Sequence, residues 1–148
     1  MSSHKFSASI AIKQTPEFIF DYTQDYSKRL TWDTFLIEAR LVGGATKADR
    51  GVRAWCVAKN KLGMETEYVS FRPPHVTAIK MTKGPYMFGE FFGSWTFREI
   101  DAATTEVVFL YSFSLRFPFT IVGYFIRLNL RKNVKQRLRD LKNCVEGK

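Results

Sequence analysis

Apolar and polar residues alternate along much of the chain, and this period-two pattern is typical of half-buried β-strands. The pattern is first clear from Phe6 to Ile12 and returns six times after residue 34. The intervals between these runs are rich in glycine, proline, asparagine and aspartate, which favour tight turns. The alternation therefore predicts seven strands, most of them joined as hairpins, at residues 6–12, 35–41, 52–59, 64–72, 77–81, 86–98 and 107–116.

Helical spacing replaces the alternation directly after the first strand. Thr15 supplies a capping hydroxyl and Pro16 suits the first helical position, so a short helix is predicted over residues 16–22. A second short helical turn is predicted over residues 25–30. The residues that we expect the first of these helices to bury are Phe18, Ile19 and Tyr22.

The end of the chain is predicted to form one long helix, from Phe117 to Val145, whose two halves differ in composition. The second half carries one apolar stripe, typical of a solvated helix with a single buried face. The first half, residues 121–130, is apolar around most of its circumference. Such a segment is buried on several sides, or it faces an apolar cavity or another surface. The stripe of the second half consists of Val134, Leu138, Leu141 and Val145.

The two longest predicted strands carry the largest aromatic side chains of the sheet. If Phe97 pairs with Phe109, then Trp95 opposes Tyr111 and both aromatic sets lie on one face. That face needs a broad apolar partner. We therefore interpret residues 121–130 as cavity wall and core together, and residues 134–145 as the clamp that holds the helix on the sheet.

The order of elements is a strand, two short helices, six strands and a long helix. This order predicts an α+β helix-grip fold, a curved seven-stranded antiparallel sheet around the terminal helix, in one domain of residues 1–148. Particular residues add to the pattern: Trp32-Asp33 after the short helices, Gly51 before the third strand, and the aromatic run from Phe92 to Phe97. With the terminal helix, they make the chain resemble the START-like (SRPBCC) superfamily of polyketide cyclases and dehydrases, lipid-transfer domains and birch-pollen-allergen-type proteins.

The resemblance implies an apolar hollow between the sheet and the terminal helix. It therefore implies binding, for transport or sequestration, of a lipid, isoprenoid, quinone or polyketide. A filled core is the alternative for any single inward-facing residue. The residues that we expect to line the cavity and contact the ligand are Phe35, Cys56, Met64, Tyr68, Met81, Phe91, Trp95, Phe109, Tyr111, Phe113, Ile121, Phe125 and Leu128.

Few residues are candidates for catalysis. Asp33 is the strongest candidate acid and is expected at the mouth of the pocket, and Tyr68 and Tyr111 are candidate polar partners for a cyclase-like or dehydratase-like reaction. His4 near the N-terminus and His75 in a turn are expected at the surface, away from the inward face of any strand. The sequence has no phosphate-binding loop, dinucleotide fingerprint, nucleophile elbow or metal-ligand cluster, so we expect no cofactor and no metal.

The charge of the chain suggests a further class of partner. The formal net charge is +9, and eight basic residues but only two acidic ones lie from Arg127 to Lys148. A basic helix face is either simply solvated or binds RNA, a ribosome or an anionic membrane. The resemblance to the START-like superfamily adds a chaperone as a further kind of partner. The residues expected to make such contacts are Arg127, Arg131, Lys132, Lys135 and Arg139.

The sequence also indicates a cytoplasmic location. No apolar run approaches the roughly 20 residues that a membrane-spanning helix needs, and residues 1–5 lack the core of a signal peptide. Cys56 and Cys144 are far apart in sequence, and we expect both to be unlinked thiols in a reducing compartment.

Overall fold

The structure is a computed structural model that describes residues 2–147. Its strands and helices follow the predicted order, and the α+β helix-grip fold is confirmed. The elements are β1 (Ser2–Ile12), α1 (Pro16–Gln24), α2 (Arg29–Trp32), β2 (Leu36–Leu41), β3 (Arg53–Ala58), β4 (Gly63–Arg72), β5 (Val76–Lys83), β6 (Phe88–Asp101), β7 (Thr104–Leu115), a 3-10 turn (Phe119–Val122) and α3 (Gly123–Val145).

The seven strands form one antiparallel sheet in the order β1-β7-β6-β5-β4-β3-β2. Strands that follow one another from β2 to β7 are hydrogen-bonded neighbours, as expected for a series of hairpins, and β1 pairs with β7. The second half of α3 packs on this sheet through a fully buried stripe, as the four-three-four spacing predicts. Val134, Leu138 and Leu141 are at most 1% exposed and belong to the main hydrophobic core.

Helix α1 is rotated relative to the prediction. Thr15 caps it as expected, accepting a hydrogen bond from the backbone N–H of Phe18 at 3.2 Å. Ile19 is buried, but Phe18 is 46% exposed, so the prediction for Phe18 is wrong. The buried aromatic side chain is Phe20, whose ring packs edge-on against Phe71 at 5.2 Å between ring centroids. Phe18 instead stacks on half-buried Tyr22 at the surface.

The terminal helix begins at Gly123, and the predicted start at Phe117 is wrong. The chain leaves β7 through a 3-10 turn before α3 can begin. Gly123 lies close to β1, where an added Cβ atom would come within 2.8 Å of His4 Nε2. His4 is half-buried in β1 and stacks on Phe113, so its expected position in a surface segment outside the sheet is also wrong. The alternation of apolar and polar residues begins only at Phe6 because residues 2–5 are all polar, but β1 begins at Ser2 and pairs with β7 along its whole length.

The β6–β7 hairpin keeps its aromatic residues on one face with a register different from the predicted one. Trp95 pairs with Phe109 and Phe97 with Val107, which is a shift of two residues. A shift of two preserves the side of the sheet, so the single aromatic face remains. Tyr111 now lies opposite Gly93, where an added Cβ atom would be 3.0 Å from the Tyr111 ring. The missing side chain of Gly93 thus makes room for that ring.

No helix within residues 2–147 is both long enough and apolar enough to cross a bilayer.

Candidate ligand cavity

A cavity of about 430 Å³ lies between the inner face of the sheet and the first half of α3. This volume falls within the range of small-molecule pockets, roughly 300–1,000 Å³. The sheet contributes aromatic and thioether side chains to its walls, and α3 contributes Val122 just before its start and Phe125, Ile126 and Leu130 within it. The first half of α3 is therefore a cavity wall on one side, as the apolar composition indicates.

Most of the residues expected to line a cavity do so, although their contact with a ligand stays a prediction. Those that line it are Phe35, Cys56, Met64, Tyr68, Phe91, Trp95, Phe109, Tyr111 and Phe125.

Four expected residues lie elsewhere. Phe113 is buried in the core and does not line the cavity, although it packs against Phe88 and Phe91, which do. Met81 lies against Gly84 at the end of β5. Ile121 and Leu128 are 75% and 45% exposed. They face solvent because only one side of this segment can face the cavity. Since residues 121–130 are apolar around most of the circumference, their sequence does not indicate which side that is.

The mouth of the cavity is formed by three segments that meet at one end of the sheet. They are the turn between β3 and β4, the loop between β5 and β6, and the start of α3. Leu62, Val122 and Phe125 from the first and third segments line the cavity and are also 43%, 42% and 68% exposed. The cavity therefore opens to solvent through these apolar side chains and through Asn60 and Asn129, which also line it and are exposed.

The deep end of the cavity rests on a buried ionic cluster. The carboxylate of Asp33 accepts hydrogen bonds from Arg29 Nε at 2.9 Å, and from Arg137 Nε and Nη2 at 3.1 and 2.8 Å. The backbone N–H of Phe35 donates another at 3.2 Å. Arg29, Asp33 and Arg137 are 7%, 1% and 4% exposed. Helix α2 and the second half of α3 are thus joined beneath the cavity.

The expected position of Asp33 at the mouth of the pocket is wrong. Asp33 follows α2, four residues after Arg29, and this spacing turns its carboxylate inward onto the guanidinium. Arg29 and Arg137 line the cavity, and Asp33 lies behind them. Its oxygens are already occupied by the two arginines and the backbone.

The electrostatics of the cluster favour its charged form. Burial opposes ionisation of Asp33, but the two guanidinium groups outweigh burial and hold the pKa of this carboxyl below its ordinary value. Burial likewise opposes the charge of Arg137, and the Asp33 carboxylate raises its pKa overall. The described part of the chain buries two guanidinium groups and one carboxylate, so the deep end keeps one net positive charge.

Tyr111 connects this cluster to the cavity wall. Its hydroxyl accepts a hydrogen bond from Arg137 Nη1 at 2.7 Å. The same guanidinium lies 5.0 Å from the ring centroid of Phe35 and 5.2 Å from that of Phe109, a cation–π arrangement. Because the arginine donates to the hydroxyl oxygen, the hydroxyl proton of Tyr111 remains available to an acceptor in the cavity.

Tyr68 belongs to a second polar group at the deep end. Its hydroxyl donates to Gln24 Oε1 at 2.6 Å and lies 3.1 Å from the hydroxyl of Tyr26. Tyr68 is 2% exposed, and burial raises its pKa well above the ordinary value. Tyr68 is therefore a neutral hydrogen-bonding residue at neutral pH.

Thr77 adds an unsatisfied polar atom to the cavity wall. It is 1% exposed, lies on β5 opposite Trp95, and its Oγ1 has no hydrogen-bond partner within the described residues. A buried hydroxyl without a partner costs about 1–3 kcal/mol. A ligand with an oxygen or nitrogen atom near Thr77 would recover part of that cost.

Comparison with known proteins agrees with this architecture. Residues 3–146 match the sequence profile of the family described as polyketide cyclase/dehydrase and lipid transport. The chain belongs to this family. No curated protein matches the chain significantly.

Solved structures show the same fold at low sequence identity. The ZhuI aromatase/cyclase from Streptomyces has a TM-score of 0.84 at 12% identity, over 98% of this chain and 94% of that one. A protein from Thermus thermophilus has a TM-score of 0.80 at 17% identity, over 95% of each chain. Ara h 8.0201 has a TM-score of 0.73 at 9% identity, over 99% of this chain and 100% of that one.

Membership of the polyketide cyclase/dehydrase and lipid transport family does not reveal the polar residues of the cavity, and sequence reasoning missed Gln24, Arg29, Thr77 and Arg137. Arg137 lies three residues after Val134 and four before Leu141, so it borders the buried stripe of α3. That spacing was an available signal. Charged residues on a basic helix are usually solvated, however, so the spacing alone does not distinguish Arg137 from the exposed basic residues.

The two thiols differ in their surroundings. Cys56 and Cys144 are both free, as predicted. Cys56 lines the cavity, and burial raises the pKa of its thiol, whereas Cys144 lies 3.0 Å from the hydroxyl of Tyr22. Among residues 2–147, no group of three or more histidine, cysteine, aspartate or glutamate side chains is arranged to hold a metal ion.

Proposed function

We propose that this member of the polyketide cyclase/dehydrase and lipid transport family binds a hydrophobic small molecule in the cavity between the sheet and α3, for transport or sequestration. The observation that carries the proposal is a 430 Å³ cavity with aromatic walls and exposed apolar side chains at its mouth. An apolar ligand gains roughly 25 cal/mol for each Å² of apolar surface that it removes from water. Lipids, isoprenoids, quinones and aromatic polyketides all have enough such surface.

The deep end supports a ligand that carries an oxygen-rich polar group. One net positive charge, the free hydroxyl proton of Tyr111 and the unsatisfied hydroxyl of Thr77 all lie around it. An anionic or carbonyl oxygen placed there would compensate buried charge that the protein alone leaves unbalanced. A purely hydrocarbon ligand would leave these groups without partners.

Retention of a ligand from a natural mixture tests this proposal. The purified protein is incubated with a total lipid extract, and bound molecules are identified by native mass spectrometry. The matched variants are Thr66→Trp, which adds a ring to a residue that lines the cavity, and Val69→Trp on the exposed side of the same strand, where Val69 is 44% exposed. We expect wild type and Val69→Trp to retain the same molecule and Thr66→Trp to lose it. A wild-type protein that stays empty, or equal retention by all three proteins, contradicts the proposal.

A cyclase-like or dehydratase-like enzyme is the second candidate, and Tyr111 is the residue that favours it. Its hydroxyl is polarised by Arg137 and lines the cavity, so it is placed to donate to a carbonyl oxygen of a bound polyketide. Asp33 is fully occupied by its two arginines, and we assign it a positioning role for Arg137.

Tyr111→Phe separates the two candidates once a polyketide-like substrate is found. It removes one hydroxyl from the cavity and leaves the ring against Gly93. Turnover that falls while binding persists supports an enzyme. Turnover that Tyr111→Phe leaves unchanged contradicts this role of Tyr111.

A further inference from the structure

The exposed apolar side chains of this protein are concentrated beside the cavity mouth. Thirteen large apolar residues are exposed within the described part of the chain, and six of them fall within the twelve residues from 117 to 128. We call these six the apolar segment. They are Phe117, Ile121, Val122, Tyr124, Phe125 and Leu128, between 42% and 75% exposed.

A basic stripe continues the same outer face of α3. Phe125, Leu128, Lys132, Lys135 and Arg139 follow one another at intervals of three and four residues, which places them on one side of the helix. Lys132 and Lys135 lie about 6 and 10 Å beyond Leu128 along the helix axis, at 1.5 Å per residue. Leu128 and the basic side chains line one shallow groove. The basic stripe consists of Arg131, Lys132, Lys135 and Arg139, all exposed.

The face formed by the apolar segment and the basic stripe carries only positive charges. No aspartate or glutamate occurs from residue 116 to residue 139. Within residues 2–147, no carboxylate forms a salt bridge with a member of the basic stripe, and Arg139 donates a hydrogen bond to the amide oxygen of Gln136. Arg127 is on another side of the helix, where its Nη2 donates to the carbonyl oxygen of Lys5, so it is not part of the stripe.

We propose that this face docks on the surface of an anionic lipid bilayer. The apolar segment enters the boundary between headgroups and acyl chains, and the basic stripe contacts lipid phosphates and carboxylates. Burial of apolar side chains at the boundary of the acyl chains and attraction of basic side chains to anionic lipids both strengthen binding to a membrane surface. RNA complements the basic stripe but offers little to aliphatic side chains such as Ile121, Val122 and Leu128, and therefore fits the face less well.

Docking in this way has a consequence for ligand exchange. Val122 and Phe125 belong to the apolar segment and also line the cavity. The mouth therefore faces the bilayer in the docked state, and a hydrophobic ligand passes between membrane and cavity with little exposure to water. This consequence rests on the proposed ligand binding, whereas docking itself does not.

Sedimentation of the protein with lipid vesicles tests the docking face. The vesicles are made of phosphatidylcholine, with or without phosphatidylserine, and the protein carries no added ligand. One variant combines Ile121→Ser and Leu128→Ser, two exposed residues that do not line the cavity. Its control combines Ile37→Ser and Ile100→Ser, two apolar residues of β2 and β6 that are also exposed, by 49% and 52%.

A second pair of variants tests the charge. Lys132→Glu with Lys135→Glu reverses two charges of the basic stripe. Lys47→Glu with Arg50→Glu makes the same change in net charge in the exposed loop before β3, at the opposite end of that strand from the turn that borders the mouth.

We expect the wild type to bind vesicles that contain phosphatidylserine, and to bind them less as salt rises. Each docking variant should bind on the order of tenfold more weakly or worse, and each control should bind like the wild type. Docking is overturned by a wild type that does not sediment with either kind of vesicle, by controls that lose as much binding as the docking variants, or by a wild type that binds only RNA. Binding of anilinonaphthalene sulfonate in solution is measured in parallel. Loss of vesicle binding with retention of this cavity probe separates failure of docking from failure of the proposed function.

Discussion

The two halves of α3 share one helix but have different surroundings. From Val134 onwards, a narrow stripe is buried in the core and the rest is solvated. Before residue 134, one side of the helix borders the cavity, while Tyr124 and Phe125 are 64% and 68% exposed. Apolar residues in the second half are therefore accounted for by the fold. The first half has more apolar residues than the fold buries. We therefore propose that some of them contact a ligand in the cavity and that others contact a membrane surface.

Arg137 combines the roles of the two halves of α3. It belongs to the second half of α3, yet its guanidinium reaches the cavity and holds Asp33. Residues at this junction should affect both stability and binding, whereas residues on either side should affect only one of them. The predictions below test this difference.

Asp33→Asn is expected to cause the largest loss of stability. It leaves the guanidinium groups of Arg29 and Arg137 buried without a counter-charge, and removing one partner of a buried ion pair costs about 3–5 kcal/mol. The free energy of unfolding is measured by urea denaturation. Asp21→Asn on the exposed side of α1 is the matched control and should change stability by less than about 0.5 kcal/mol. Similar stabilities for the two variants would show that the cluster does not hold α2 and α3 together.

The same carboxyl should make stability depend on pH. Its pKa in the folded state is below the ordinary value of about 3.9, so the unfolded chain binds the proton more readily. The stability contributed by Asp33 is therefore complete above about pH 5 and is lost as the pH falls towards its lowered folded pKa. Asp33→Asn should lack this part of the acid destabilisation. Parallel pH profiles for wild type and variant would contradict the assignment.

Leu138→Ala and Leu128→Ala compare the two halves directly. Leu138 is 1% exposed, and its truncation should cost about 2–5 kcal/mol of unfolding free energy. Leu128 is 45% exposed, so its truncation should cost less than about 0.5 kcal/mol. Thermal and urea denaturation of both variants measure the difference. Equal losses would mean that the exposed apolar segment is also part of the core.

Thr77→Val should have the smallest effect on stability. Unlike Leu138→Ala, it should change ligand binding and leave the free energy of unfolding almost unchanged. Removing a buried hydroxyl that has no partner should leave stability unchanged or slightly improved. Loss of one hydrogen bond, worth about 0.5–1.5 kcal/mol, should weaken the binding of anilinonaphthalene sulfonate several-fold. The binding of the neutral probe N-phenylnaphthylamine should stay unchanged. Fluorescence titration of both probes measures this selectivity, and an equal change for the two probes would contradict a polar role for Thr77.

The sequence predicted the fold well because the fold depends on periodicity. Alternation defined the strands, and the four-three-four spacing of Val134, Leu138, Leu141 and Val145 defined the buried face of α3. The register of the β6–β7 hairpin was two residues off because a shift of two leaves every side chain on the same face. Only the geometry of the turn distinguishes these registers, and a bulge between Glu99 and Asp101 changes that geometry.

The apolar walls of the candidate site, together with Tyr68 and Tyr111, could be predicted from the sequence, whereas its other polar residues could not. Inward alternation identifies aromatic walls such as Phe91 and Trp95, because each wall residue belongs to a strand with a known face. The polar deep end combines α2, β5 and α3, which are distant in sequence. Nothing local indicates that Asp33 meets Arg137, or that Thr77 has no partner, since both depend on how the sheet curls around the helix.

The residues that contact a cavity probe can be mapped by NMR. Amide chemical shifts are followed while anilinonaphthalene sulfonate is added to the wild-type protein. We expect saturable shifts in the strands around Thr77 and Tyr111 and in the first half of α3 around Phe125, with little change from Leu138 to Val145. Thr66→Trp should abolish these shifts. Shifts confined to exposed residues, or spread equally over both halves of α3, would contradict a cavity that binds hydrophobic ligands beside the first half of the helix.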